Sequence, residues 1–116
     1  MTEGKILIID DEPNILESLE MFLLEKGYEI KKALNGISGI KLKKSFKPDV
    51  IILDIRLPDI DGLTLLKELN KDNNVPVIVI TAFHDMEMTI KAMKAGAFEY
   101  ICKPIDALEI QHAIER

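Results

Sequence analysis

The chain has 116 residues, enough for one domain with a single core, and its 47% hydrophobic content is that of a globular protein, not a disordered one. A net charge of −5 at pH 7 argues against a nucleic-acid footprint, and no apolar run reaches the length of a membrane span or forms a secretory h-region. The one cysteine, Cys102, cannot form an internal disulfide, which suits a reducing cytoplasm.

No repeat, low-complexity tract or linker divides residues 1–116, so they read as one domain. Lys5 to Ile9 is a short apolar strand that runs into Asp10, Asp11 and Glu12. Pro13 suits the first turn of a helix, and Ile15, Leu19, Phe22 and Leu23 follow at helical spacing, with Gly27 as a stop. Glu29 to Ala33 is a weaker strand, with Ile30 its main apolar residue. Asn35-Gly36 signals a turn, and Ile37 to Ser45 a helix with a solvated face of Lys41, Lys43 and Lys44.

Val50-Ile51-Ile52-Leu53 reads as a strand buried on both faces, and Asp54 sits where it stops. The loop after it is punctuated by Pro58 and Gly62, and Asp61 is placed to cap a helix over 62–70 carrying Leu63, Leu65, Leu66 and Leu69. Asp72 to Asn74 is a loop. Val75 to Ile80 is the next buried strand, with Pro76 at its start, ending at Thr81-Ala82. Met86 to Ala95 is a helix closed by Gly96, Tyr100 to Cys102 a fifth strand, and Ala107 to Arg116 a last helix using Leu108, Ile110, Ala113 and Ile114. No capping glycine ends that helix, so the chain is expected to belong to something longer.

Strand and helix alternate five times, which predicts an α/β fold: a flavodoxin-like three-layer sandwich whose five-stranded parallel sheet has the order 2-1-3-4-5, with five helices. In a parallel sheet the carboxyl ends of the strands share one edge, and ligands bind there. Reading those ends gives Asp10 and Asp11, Asp54, Thr81 and Lys103. Singly, each has a bland explanation as a cap, a turn former or a surface lysine; together they form a site.

Clustered carboxylates repel one another. A divalent cation resolves this, and hard oxygen ligands in an open, water-rich site without a Cys/His set favour Mg²⁺ over zinc. Lys103 supplies a point charge for a phosphate oxygen, and Thr81 and the backbone N–H of Ala82 supply donors. The set suits in-line phosphoryl transfer with Asp54 as nucleophile, giving an acyl phosphate.

These residues resemble the receiver domains of bacterial two-component response regulators over essentially the whole chain. Asp10 and Asp11 match the acidic pair, Asp54 the phosphoacceptor, Pro58-x-x-Asp61-Gly62 the following loop, Thr81 the hydroxyl position, Tyr100 the aromatic switch and Lys103-Pro104 the Lys-Pro pair. The resemblance implies Mg²⁺ held directly by Asp11 and Asp54, by Asp10 through water, and by the carbonyl of Arg56. It implies tuning of hydrolysis by Arg56 and Phe83, and a switch coupling Thr81 to Tyr100. It further implies a cytoplasmic phosphoacceptor switch that catalyses only its own phosphorylation and dephosphorylation. The implied partners are a sensor histidine kinase and an output domain on the same chain. A homodimer is a further expectation, and binding of nucleic acid or membrane by this domain is not. Ala92 to Tyr100 resembles the nitrogen-regulator class, where an ATPase that activates an alternative sigma factor and a DNA-binding domain follow.

Three rivals are set against this reading. A phosphatase of the haloacid-dehalogenase type would place its nucleophile after strand 1 and a second acid two residues on. A degenerate, binding-only receiver would not need the full acid, Thr and Lys set. A flavodoxin-type FMN protein would need a Ser/Thr/Gly phosphate loop after strand 1. Cys102 is read as a small buried hydrophobe, His84 as a loop residue, His112 as surface, and Asp59 and Asp61 as turn and cap residues. Met86, Met88 and Met93 spread wider than one core stripe, which fits either a partner face or tolerant packing. The Lys103–Pro104 bond is expected to be cis, since X–Pro bonds alone reach cis at modest cost and the turn must aim Lys103 back over the site.

Overall fold

The computed structural model describes residues 3–72, 74–82 and 86–116. In chain order its elements are β1 (Gly4–Ile9), α1 (Pro13–Glu25), β2 (Tyr28–Ala33), α2 (Gly36–Phe46) and β3 (Val50–Asp54). They continue with α3 (Gly62–Asn70), β4 (Val77–Thr81), α4 (Met86–Lys94), β5 (Glu99–Cys102) and α5 (Ala107–Glu115). All strand pairs are parallel and the order is β2-β1-β3-β4-β5, as the alternation predicted.

The three central strands are the apolar runs, and they bury both faces. Leu7, Ile9, Leu53 and Val79 point into a core shared with α2, α3 and α4. Ile6, Ile8, Ile52 and Ile80, at the alternate positions, pack with Leu16, Leu19 and Leu23 of α1 and with Ile110 and Ala113 of α5. Truncating any of these leucines or isoleucines to Ala would cost roughly 2–5 kcal/mol, from lost burial and the cavity left behind. That anchoring holds the carboxyl edge of the sheet in place.

Several local expectations are corrected. The buried stripe of α1 is Leu16, Leu19 and Leu23, while Ile15 and Phe22 are half-buried at its margins. Asn35 does not merely turn the chain: its Oδ1 accepts from Ser38 N at 2.9 Å, capping α2, and Gly36 is the helix's first residue. Gly36 and Gly39 are buried because α2 lies close on the sheet and on α3; a Cβ on Gly39 would overlap Ile9. Lys43 is no solvated residue, for its Nζ donates to Leu69 O at the end of α3 at 2.7 Å. β4 begins at Val77, not Val75: Pro76 has no N–H for the ladder, and its carbonyl accepts from Ile51 N. Leu108 is 61% exposed, leaving α5 anchored by Ile110 and Ala113. Cys102 is half-buried.

Other details agree with the sequence. Asp61 caps α3 through Thr64 N at 3.1 Å, Gly27 and Gly96 end α1 and α4 at positive φ, His112 is exposed, and the Lys103–Pro104 bond is cis. Among the described residues no helix is long and apolar enough to cross a membrane.

Candidate functional site

β1 and β3 are neighbours, with Ile9 opposite Leu53. The next residues, Asp10 and Asp54, therefore leave the core side by side at the sheet's carboxyl edge. Both are almost fully buried, at 0% and 4% exposure, whereas Asp11 and Glu12 on the outgoing loop are exposed. One carboxylate oxygen from each of Asp10, Asp11, Glu12 and Asp54 lies within 4.8 Å of the others.

Lys103 comes from the far side of the sheet. Its backbone N–H donates to Thr81 O at 2.7 Å as the chain leaves β5, and its side chain reaches back across the edge. Nζ lies 2.9 Å from Asp54 Oδ2, 2.8 Å from Glu12 Oε1 and 3.1 Å from Asp10 Oδ2. The other oxygen of Asp54, Oδ1, accepts from Arg56 N at 2.9 Å. Both oxygens of Asp54 thus have fixed positions.

One ammonium faces four carboxylates, so negative charge is in excess, and the cost falls on Asp10. Its Oδ1 accepts from Glu12 N at 2.9 Å, but Oδ2 is buried with no aligned hydrogen bond, although Lys103 is close enough for an ion pair. Burial pushes the Asp10 pKa up, and Asp54 pushes the same way. The hydrogen bond from Glu12 N and the charge of Lys103 oppose this without cancelling it. For Lys103, burial works against the charged form, but the bonds to Glu12 and Asp54 and the charges of Asp10 and Asp54 outweigh it and raise its pKa. Lys103 is a fixed cation here.

A buried carboxylate oxygen without a hydrogen bond, in a cluster of oxygen donors open to solvent on one side, fits a hard divalent cation. Asp10, Asp11 and Asp54 are the three acids that the sequence named for this role. Glu12 is a fourth, which sequence reasoning passed over as a mere neighbour of the pair.

The remaining sequence-named residues surround this cluster. Thr81 is buried at the end of β4, one residue past Ile80, the register partner of Asp54; exposed Ala82 follows it. Arg56 is exposed and touches the site through its backbone N–H. Tyr100 is not in the acidic pocket. It pairs with Val79 two residues back along β5 and packs, half-buried, against the α2–α4 core. Phe83 and His84 lie outside the described residues.

Asp59 has a role that the sequence did not suggest. Its two carboxylate oxygens accept from Gly36 N at 2.9 Å and Ile37 N at 3.0 Å, so the loop after Asp54 is latched to the N-terminus of α2. These two bonds lower the Asp59 pKa. The carboxylate at a helix N-terminus is favoured by both charge and geometry.

A family model described as the response regulator receiver domain matches residues 6–115. Regulatory protein AtoC of Escherichia coli (strain K12) is 37% identical over 114 residues, covering 97% of this chain and 25% of that protein. The DNA-binding transcriptional regulator NtrC of Proteus hauseri is 36% identical over 117 residues, covering 100% of this chain and 25% of that protein. The chain therefore spans about a quarter of the length of these relatives. Among solved structures, the CheX–CheY–BeF3–Mg complex from Borrelia burgdorferi superposes with a TM-score of 0.89 at 27% identity, covering 97% of this chain and 87% of that one.

Proposed function

This chain belongs to the family of response regulator receiver domains, and on that premise we propose that Asp54 is its phosphoacceptor, taking a phosphoryl group from a sensor histidine kinase. The observation that carries this is the setting of Asp54: it ends the central strand, one oxygen is held by Arg56 N–H, and the other lies 2.9 Å from the Lys103 ammonium. An Asp54 oxygen attacks phosphorus in line, the bond from phosphorus to the donor's leaving group breaks, and an acyl phosphate forms. The chain's contribution is positioning and charge neutralisation, which dominate such transfers. Lys103 moves from carboxylate to phosphoryl oxygen, and Thr81 and the Ala82 N–H serve as donors to the other oxygens.

Asp10, Asp11 and Asp54, with the carbonyl of Arg56, are the residues that would hold Mg²⁺. The similar Borrelia burgdorferi complex contains Mg²⁺ with BeF3, and the buried Asp10 oxygen that accepts no hydrogen bond supports a cation here. When bound, the metal neutralises charge on the transferring group.

We read residues 1–116 as the N-terminal receiver of a longer cytoplasmic regulator of the nitrogen-regulator class, with an ATPase and a DNA-binding domain following. The greater length of AtoC and NtrC supports this, as does the stretch Ala92–Tyr100. The domain works as a switch whose only chemistry is on itself. Its outlet is α4, where Met86, Ile90 and Met93 are exposed on one face while Met88 packs inward; output domain or second copy would meet it there.

Incubation with Mg²⁺ and acetyl phosphate, read by mass spectrometry, should add one group, and Asp54→Asn should add none. Wild-type labelling of Asp54→Asn would identify another acceptor. Steady turnover of free phosphomonoesters would point instead to a phosphatase.

A further inference from the structure

Glu12 occupies the N-cap of α1, where an acidic side chain is available to a helix N–H, yet it makes no capping bond. Pro13 supplies the first helical residue, and the carboxylate turns back to the site. Its Oε1 accepts from Lys103 Nζ at 2.8 Å across 91 residues of sequence, as short as any contact that this ammonium makes. The three acids on Lys103 are not alike. Asp10 and Asp54 are buried, whereas the Glu12 side chain is 58% exposed. Released, Glu12 regains water; Asp10 and Asp54 cannot.

That asymmetry has a consequence for phosphoryl transfer. Lys103 is 11% exposed, so it must always have a partner, and in the resting site it has three. A phosphoryl group on Asp54 presents strong acceptor oxygens to the same ammonium. The acyl bond takes the charge off Asp54, and Lys103 turns from it to the phosphoryl oxygens; of the two acids that keep their charge and compete for the ammonium, only Glu12 can withdraw into water at little cost.

We propose that Glu12 is a positioning residue for Lys103: it holds the ammonium in the resting site and releases it to the phosphoryl group. The inference rests on Asp54 being the acceptor. Because Glu12 competes with the phosphoryl oxygens, removing its charge favours the phosphorylated arrangement. The gain is about two- to fivefold, the worth of a largely exposed ion pair. As Glu12 makes no cap bond, Glu12→Gln leaves the start of α1 intact.

The test has two arms on the full chain. In EDTA, the Lys103 ammonium signal is followed by ¹⁵N–¹H NMR, assigned with Lys103→Arg. Glu12→Gln should shift it and broaden it through faster exchange with water. With saturating Mg²⁺, the BeF3 dissociation constant should be about two- to fivefold lower in Glu12→Gln, and the bound wild type and variant should give the same Lys103 signal. An unchanged signal in EDTA overturns the proposal. So does weaker BeF3 binding by the variant, which would make Glu12 part of the metal site. A wild type that binds no BeF3 overturns the phosphoacceptor reading and the handover with it, whereas that reading survives a failure of Glu12→Gln alone.

Discussion

Asp10→Asn should make the metal-free protein more stable while crippling its chemistry. The wild-type side chain is wholly buried, sits beside Asp54, and leaves Oδ2 without a hydrogen bond. An unsatisfied buried acceptor costs about 1–3 kcal/mol, more when charged. Asparagine keeps Oδ1 for the bond from Glu12 N and removes the buried charge, although its N–H₂ then faces the Lys103 ammonium, 3.1 Å from that position. Against this, Lys103 loses one neighbouring charge but keeps Glu12 and Asp54 at 2.8 and 2.9 Å. The net gain should be about 1–2 kcal/mol, or a rise in Tm of roughly 3–10 °C for a domain of this size.

The pH dependence has a definite sign. The Asp10 pKa is raised mainly by burial, so its contribution is fully present below the unfolded value of about 3.9 and is lost as pH rises through the folded value. The advantage of Asn should therefore grow from about pH 4 upward and then level off. Magnesium reverses the comparison. At ten times its dissociation constant it adds about 1.4 kcal/mol to the wild type, and the variant should gain much less. Urea melts followed by circular dichroism, in EDTA and in Mg²⁺, measure all of this. If Asp10→Asn is the less stable protein in EDTA, then the attraction of Lys103 exceeds the cost of burial and the reasoning fails.

Asp11→Asn should weaken Mg²⁺ binding by about tenfold or more, since even outer partners of metal ligands are worth that much, and phosphorylation in excess EDTA should be absent. Asp59→Asn should lower the urea midpoint at neutral pH: a depressed carboxylate pKa means stability present above about pH 3.9 and lost as pH falls through the folded value, so the wild type and variant should converge in acid. Gly62→Ala should destabilise by about 1–3 kcal/mol or more, because a Cβ there would overlap the carbonyl oxygen of Ile55; denaturation midpoints decide it. In NMR spectra, BeF3-induced shifts at residues 86–101 should be present in the wild type and lost in Thr81→Ala; shifts that survive unchanged would exclude the hydroxyl as the link.

What could be read in advance was whatever the sequence expresses by local pattern. Val50 to Leu53 and Val77 to Ile80 are apolar at every position, so they can only be central strands, and an acid or hydroxyl ending such a run must face the sheet's edge. Partners distant in sequence left no such trace. The hold of Glu12 on Lys103 and the latch of Asp59 on α2 depend on where two loops meet, and an acid in a Pro/Gly loop looks the same whether it turns its own chain or caps another. Leu108 reads as a core residue in the sequence because helical spacing permits two adjacent faces. The position of α5 against Ile6 and Ile101 chose the face carrying Ile110 and Ala113. Asn35 reads as a turn for a related reason: Asn-Gly serves equally as a turn and as a cap with the helix's first residue, and only the packing of Gly36 against α3 decides.

The placement of Thr81 and Tyr100 suggests why a charge at the edge of the sheet should be read out on α4 and not elsewhere. Val77, Val79 and Tyr100 belong to the same core face, and Thr81, two residues beyond Val79, is on the same side of β4. A hydroxyl drawn toward phosphate would therefore disturb packing on the side of the sheet that α3 and α4 cover. These two helices resist unequally. α3 is anchored by Gly62, Leu65, Leu66 and Leu69, and its N-terminus is tied by the Asp61 cap. α4 buries Ala92 alone and turns Met86, Ile90 and Met93 outward. Elements with few buried contacts rearrange at the lowest free-energy cost. A change that frees or fills space beside Tyr100 should be absorbed by moving α4, whose exposed apolar face would then present a different surface to whatever binds it, while α3 and the latched loop keep Asp54 in place.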